Sequence, residues 1–149
     1  MEVASIIALS MGAAWASGIN LYATLFMLGY MASTGNITLP AELEVLTNPM
    51  VMTAAGFMYC VEFFADKIPG VDSAWDSIHT FIRIPAGAML ASSAIGDVTP
   101  AIELTTALLG GALAAGTHTT KAGTRLLINT SPEPVSNWTA SITEDLIVI

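Results

Sequence analysis

Positive charge is the scarcest feature of this chain. Of 149 residues only Lys67, Arg83, Lys121 and Arg125 are basic, against twelve Asp and Glu, for a net charge of -8. So little basic surface excludes a nucleic-acid partner and a polybasic patch for anionic lipid. Cysteine is nearly missing too: Cys60 stands alone, which excludes an internal disulfide framework and a cysteine zinc or redox motif. No HExxH, GxSxG, P-loop or DxDxG pattern occurs, and no Ser or Cys sits beside a plausible base, so the chain does not read as an enzyme and calls for no cofactor. Charge of either sign is thin at 11%. What fills the chain is apolar: 54% hydrophobic residues and a mean hydropathy of +0.68. A soluble domain of this size rarely tolerates that balance, so composition points to an integral membrane protein whose first partner is the lipid bilayer.

Four apolar stretches stand out, at about 4–32, 50–65, 84–97 and 101–120, separated by segments rich in Pro, Gly, Asn and acids. Ala14-Trp15-Ala16 has the small-x-small look of a signal cleavage site. No basic region precedes it and the apolar pattern runs on, so 4–32 reads as retained. At about 1.5 Å per residue that stretch exceeds a hydrocarbon core of about 30 Å and must tilt, protrude or break. The third stretch, with Pro85, Gly87 and Gly96, is short for a crossing and reads as a span or a re-entrant piece. A cytoplasmic amino end puts all four basic residues on the cytoplasmic side, as the positive-inside rule expects, and brings the carboxyl end there too. The expected fold is an all-α polytopic membrane protein with about four transmembrane helices, a broken or kinked first helix, and an amphipathic interfacial helix between the second and third. Residues 1–130 form the membrane domain, and 131–149, beginning with a Pro-rich break, a cytoplasmic tail or surface helix.

Within the first stretch, Gly12, Ala16, Asn20 and Thr24 recur every four residues and share one helical stripe. Gly110, Ala114 and His118 repeat that pattern in the fourth, with Lys121 and Arg125 close beside. Such stripes pack helix on helix, with Asn20 bonding a neighbouring backbone. They also fit a second reading, in which Ser17, Gly18 and Asn20 loosen the helix and free backbone groups to bind a solute or ion. The ungapped agreement of 11–28 with 110–127, at Gly12 with Gly111 and Ala16 with Ala115 among others, is a weak sign of an internal repeat.

Ionisable groups in a membrane are costly, so each marks a candidate site with a partner to be found. Glu62 and Asp66 lie one turn apart and repel unless a proton or cation stands between them. His118, one turn before Lys121, is the expected partner of Glu62, with Lys121 and Arg125 nearer water; the cluster either fixes helix register or relays a proton or ion. In the segment 71–84, Trp75, Ile78, Phe81 and Ile82 alternate with Asp72, Asp76, His79 and Arg83, an amphipathic surface helix. Its Asp72, Asp76 and His79 share a face and make a conceivable metal site; the plainer reading is a solvated face with Asp76 accepting from Arg83 or His79.

ASGINLY, EFFADKIPGVDSAWDSIHTFIRIPAG and AGTHTTKAGTRLLINTSPEPVSN together resemble a family of small bacterial membrane proteins, the domain of unknown function numbered four-one-two-six. The resemblance covers roughly residues 10–145. It implies a helical protein of the bacterial inner membrane and a further hydrophobic helix after the SPEP segment, and brings no substrate or catalytic residue. The resulting expectation is a membrane transporter or channel-like protein, a homo-oligomer and by preference a dimer, passing a small polar solute or ion by way of Ser17, Gly18, Asn20, Glu62, Asp66, His118, Lys121 and Arg125. The alternatives are a non-transporting scaffold or lipid-binding protein, and a metal-assisted lipid-head-group enzyme using Asp72, Asp76 and His79.

Overall fold

The computed structural model describes residues 2–130 and 135–149, and every regular element among them is helical. In chain order these are α1 (Val3–Ser33), a 3₁₀ segment (Ala41–Thr47), α2 (Pro49–Ala65), α3 (Val71–Ile95), α4 (Pro100–Asn129) and α5 (Val135–Val148). The starts are written in the sequence. Asn48 accepts the Met50 N–H on its side chain (2.9 Å) and Pro49 opens α2, while Pro100 opens α4. Gly70 and Gly96, with φ of +87° and +80°, bracket α3 at turns that a side chain would strain. α1 and α3 are long and apolar enough to cross a membrane. The SPEP break at 131–134 lies outside the described residues.

Inside α1 one residue departs from helical dihedrals: Asn20, at φ -147° and ψ 97°. The two parts of α1 keep different company. Before Asn20, Ala14 faces Gly110 and Gly18 faces Ala114 and Thr117, so the chain runs alongside α4 in the same direction. After it, Phe26 meets Gly56 and Gly29 meets Met52, so the chain runs against α2 in the opposite direction. Glycines set these approaches. A Cβ on Gly18 would collide with the Ala114 carbonyl and the Thr117 hydroxyl, and one on Gly110 with the Ala91 side chain. α3 and α4 are antiparallel, joined where Gly87 and Ala91 meet Gly110 and Ala114.

Two expectations are corrected. The segment 71–84 and the third apolar stretch are one continuous helix, α3, which runs through Pro85 at the cost of the N–H that the Phe81 carbonyl would accept. Its polar face is not solvated: Asp72, Asp76, His79 and Arg83 are buried, while Phe81 is 84% exposed. Residues 135–148 form α5, whose buried Asn137, Ser141 and Asp145 bond Arg125 on α4, Lys67 in the turn after α2 and Asn20 on α1.

The molecule is thus polar within and apolar without. The largest fully buried side chains are Arg83, Arg125, His118, Glu62 and Asn20, whereas Met50, Leu127, Met89 and Phe57 are exposed. A soluble core shows the reverse. A smaller apolar core, with Leu21, Leu39, Leu43, Leu46 and Leu90, lies around the 3₁₀ segment.

Candidate functional site

Arg83, Lys121 and Arg125 gather in one cluster with Glu62, Asp66, Asp72, Asp76, Glu144 and Asp145, and half-buried Lys67 stands at its edge, bonded to Ser141. Arg83, which the sequence reading left on a solvated face, stands at its centre. Its Nη2 donates to Glu62 Oε1; its Nη1 reaches Asp76 Oδ1 (3.3 Å), His118 Nδ1 (3.2 Å) and the Gly18 carbonyl (3.4 Å). Lys121 Nζ donates to Glu62 Oε1 and Asp66 Oδ2, both at 3.2 Å. Arg125 grips Glu144 with two bonds (3.0 and 2.8 Å), the bidentate geometry a guanidinium favours, and also donates to the Asp66 carbonyl (2.7 Å) and to Asn137.

Asn20 ties α1 to this cluster. In an unbroken helix the Ala23 N–H would donate to the Ile19 carbonyl. Here it donates to Asn20 Oδ1 (3.0 Å), so Asn20 caps the helical turns that follow, and the Ile19 carbonyl accepts from Lys121 Nζ (3.0 Å) instead. Asn20 Nδ2 donates to Asp145 Oδ1 (3.2 Å). Ser17 takes no part: its hydroxyl donates to the Ala14 carbonyl (2.8 Å) and lies against Gly87.

His118 is neutral by its partners. His79 Nδ1 lies 2.9 Å from the Trp75 carbonyl, which only accepts, so Nδ1 carries a proton, and Nε2 lies 3.0 Å from the Tyr22 hydroxyl, which can donate or accept. His118 Nδ1 accepts from Arg83, leaving its proton on Nε2 for Thr80 Oγ1 (2.7 Å), whose own proton goes to the Asp76 carbonyl. The expected Glu62 to His118 contact is therefore replaced by Glu62 to Arg83 and Lys121. The metal reading fares no better. Asp72, Asp76 and His79 do not form a group that could hold a metal ion. His79 has spent both nitrogens, and Asp72 Oδ1 is occupied by the N–H groups of Gly70 and Ser73 and by Asn129.

Six carboxyl groups face four bases, an excess of two acids. The shortage is visible in the bonding. Glu62 Oε2, Asp66 Oδ1, Asp72 Oδ2, Asp76 Oδ2 and Asp145 Oδ2 are buried without a hydrogen-bond partner among the described residues. In the turn after α2, burial pushes the Asp66 carboxyl up to about 7 in spite of Lys121. Burial also lowers the ammonium of Lys67, which sits 3.0 Å from the centre of the Phe63 ring and donates to Ser141 (3.1 Å). Beside the cluster, a pocket of about 440 Å³ opens between α1, α4 and α5, lined by Trp15, Ile19, Thr120, Lys121 and Glu144 among others.

Reading the sequence missed Asn137, Ser141, Glu144 and Asp145. The signal was available: Asn137, Ser141 and Asp145 recur every four residues, beside an apolar row of Trp138, Ile142 and Leu146 at the same spacing.

The domain of unknown function DUF4126 matches residues 7–149. The chain belongs to that family. No curated protein and no solved structure matches it. The DUF4126 match takes in α5, so the helix that closes the cluster is part of the family domain.

Proposed function

We propose that this DUF4126 chain is a polytopic membrane protein that binds and passes a small ion, by preference a cation, through its buried polar cluster. The observation that carries the reading is the imbalance of the cluster: acids exceed bases by two, five of its carboxyl oxygens have no hydrogen-bond partner among the described residues, and α1 gives up the Ile19 carbonyl to Lys121 at Asn20. A cluster whose only task is to fix helix register gains nothing from a buried excess of acids, which is costly. Ions that come and go need that excess. The dihedral break at Asn20 supports a discontinuous first helix, the device by which membrane proteins present backbone carbonyls to an ion.

The apolar exterior supports membrane insertion, with α2, α3 and α4 as crossings and α1, which runs with α4 before Asn20 and against α2 after it, entering and returning to the side it starts from. Lys67, Lys121 and Arg125 all belong to the end of the bundle where α2 and α4 finish, and the positive-inside rule makes that end cytoplasmic. The early part of α1 lies away from it, since Ser10 bonds the Ala91 carbonyl near the far end of α3 (2.7 Å). The proposal accordingly puts the amino end outside, opposite to the orientation expected from sequence. The cluster is assembled from five helices of one chain, so this ion site needs no second subunit.

The test is ion flux into liposomes carrying the purified chain. Cation flux in the wild type that Glu62→Gln and Asn20→Ala both reduce supports the reading. No flux of any cation, or flux that neither variant changes, overturns it in favour of a scaffold.

A further inference from the structure

Lys121 is surrounded unlike any other base in the cluster. Around its Nζ stand the Ile19 carbonyl (3.0 Å), Glu62 Oε1 and Asp66 Oδ2 (both 3.2 Å), and Asp76 Oδ1 and Glu144 Oε2 (both 3.5 Å). An ammonium has three protons for these five oxygens; Glu62 Oε1 and Asp76 Oδ1 also accept from Arg83 and Glu144 Oε2 from Arg125, which leaves the Ile19 carbonyl and Asp66 Oδ2 to Lys121. The five oxygens come from α1, from α2 and the residue that ends it, from α3 and from α5, that is, from each packed helix except the one that carries Lys121. Glu62, Asp66 and Asp76, each at least 99% buried, also hold a second oxygen with no partner among the described residues. The set therefore has more acceptor capacity than Lys121 can meet.

With the Lys121 ammonium in place the oxygens stand 3.0–3.5 Å from its Nζ, wider than the roughly 2.3–2.6 Å of Ca²⁺ or the roughly 2.0–2.1 Å of Mg²⁺. That spacing suits an ion of ammonium size, and potassium is close to ammonium in radius. Lys121 also has somewhere to go. Its side chain lines the pocket between α1, α4 and α5, and its four-carbon stem is flexible.

We propose that the oxygen cage is an exchange site for an ammonium-sized monovalent cation, with the Lys121 ammonium as its tethered stand-in. The guest takes the cage as Lys121 swings into the neighbouring pocket, and the acid excess accommodates both charges. This deepens the reading of the cluster as an ion site and rests on it.

The chain has only two lysines, Lys67 and Lys121, which makes the exchange measurable in the wild type. Purified protein in micelles is reductively methylated with formaldehyde and cyanoborohydride at constant ionic strength, in potassium, sodium or tetramethylammonium chloride. Peptide mass spectrometry then compares the two sites. The expected result is that potassium raises methylation of Lys121 relative to Lys67 by about fivefold or more over tetramethylammonium, the lower end of ordinary coupling between two linked events. A ratio that does not respond to potassium overturns the proposal. In a second arm, Lys121→Ala is melted in the same salts and in ammonium and methylammonium chloride. Folded Lys121→Ala should gain a saturable rise in Tm from potassium, ammonium or methylammonium and none from tetramethylammonium, and the relative response tells an alkali ion from an amine. A folded variant indifferent to all of them overturns the cage; should it fail to fold, the wild-type labelling decides. Potassium-dependent labelling without liposome flux would leave the cage standing and remove transport. Flux without any change in labelling would do the opposite.

Discussion

Removing a base from the cluster should cost much more than removing an acid, even when both sit in the same ion pair. Arg83 and Glu62 are bonded to each other, and both are fully buried. Arg83→Met leaves Asp76 with Lys121 at 3.5 Å as its remaining cation and widens the acid excess. Breaking a buried pair in this direction costs about 3–5 kcal/mol. Glu62→Gln keeps an oxygen where Oε1 accepts from Arg83 and Lys121. Two charge-assisted bonds become ordinary ones, a loss of roughly 1 kcal/mol each, and the relieved acid excess offsets part of it, for a net cost of about 1 kcal/mol. At about 2–4 °C per kcal/mol for a chain near this size, Arg83→Met should melt some 6–20 °C below the wild type and Glu62→Gln only a few degrees below. Tryptophan fluorescence in micelles reads both. Equal losses, or a larger loss for Glu62→Gln, would refute the acid excess.

Gly110→Ala forces a methyl onto Ala91 and the Gly87 carbonyl and should cost about 1–3 kcal/mol. Gly116→Ala and Gly123→Ala, where a Cβ meets nothing within 4 Å, should be neutral or stabilising by up to about 1 kcal/mol in the same melts. Asn20→Ala removes the cap on Ala23 and the bond to Asp145, a cost of about 1–2 kcal/mol. Asn20→Asp keeps the capping oxygen but sets a carboxylate against Asp145, and should melt no higher than Asn20→Ala. Asp66, raised from 3.8 to about 7, holds its proton in the folded chain after the unfolded chain has lost it. Its contribution to stability therefore falls as pH rises from about 4 to 7. Asp66→Asn should flatten that part of the profile measured by thermal melts across pH; an unchanged slope would place the titration elsewhere.

The helical class and the apolar runs were legible because they depend on local composition, and Pro49 and Pro100 mark helix starts in the sequence itself. Asn20, Glu62, Asp66, Lys121 and Arg125 could be picked out because an ionisable or amide group in an apolar run has few ways to be tolerated. Which group meets which was not legible. His118 is as near Lys121 in sequence as a partner for Glu62 should be, yet Arg83 reaches Glu62 first, because α3 turns its polar stripe inward. That stripe was misread for a definite physical reason. Amphipathic periodicity says which residues share a face, and in a membrane the polar face turns toward other helices rather than toward water. The same inversion hid α5, whose Asn137, Ser141 and Asp145 resemble a solvated face until the cluster they complete is in view.

The most direct measurement is equilibrium binding of radioactive rubidium, a potassium analogue, to the purified chain in micelles. The acid excess predicts saturable binding close to one ion per chain, displaced by potassium and weakened by Glu62→Gln. Binding no greater than that of empty micelles would contradict it.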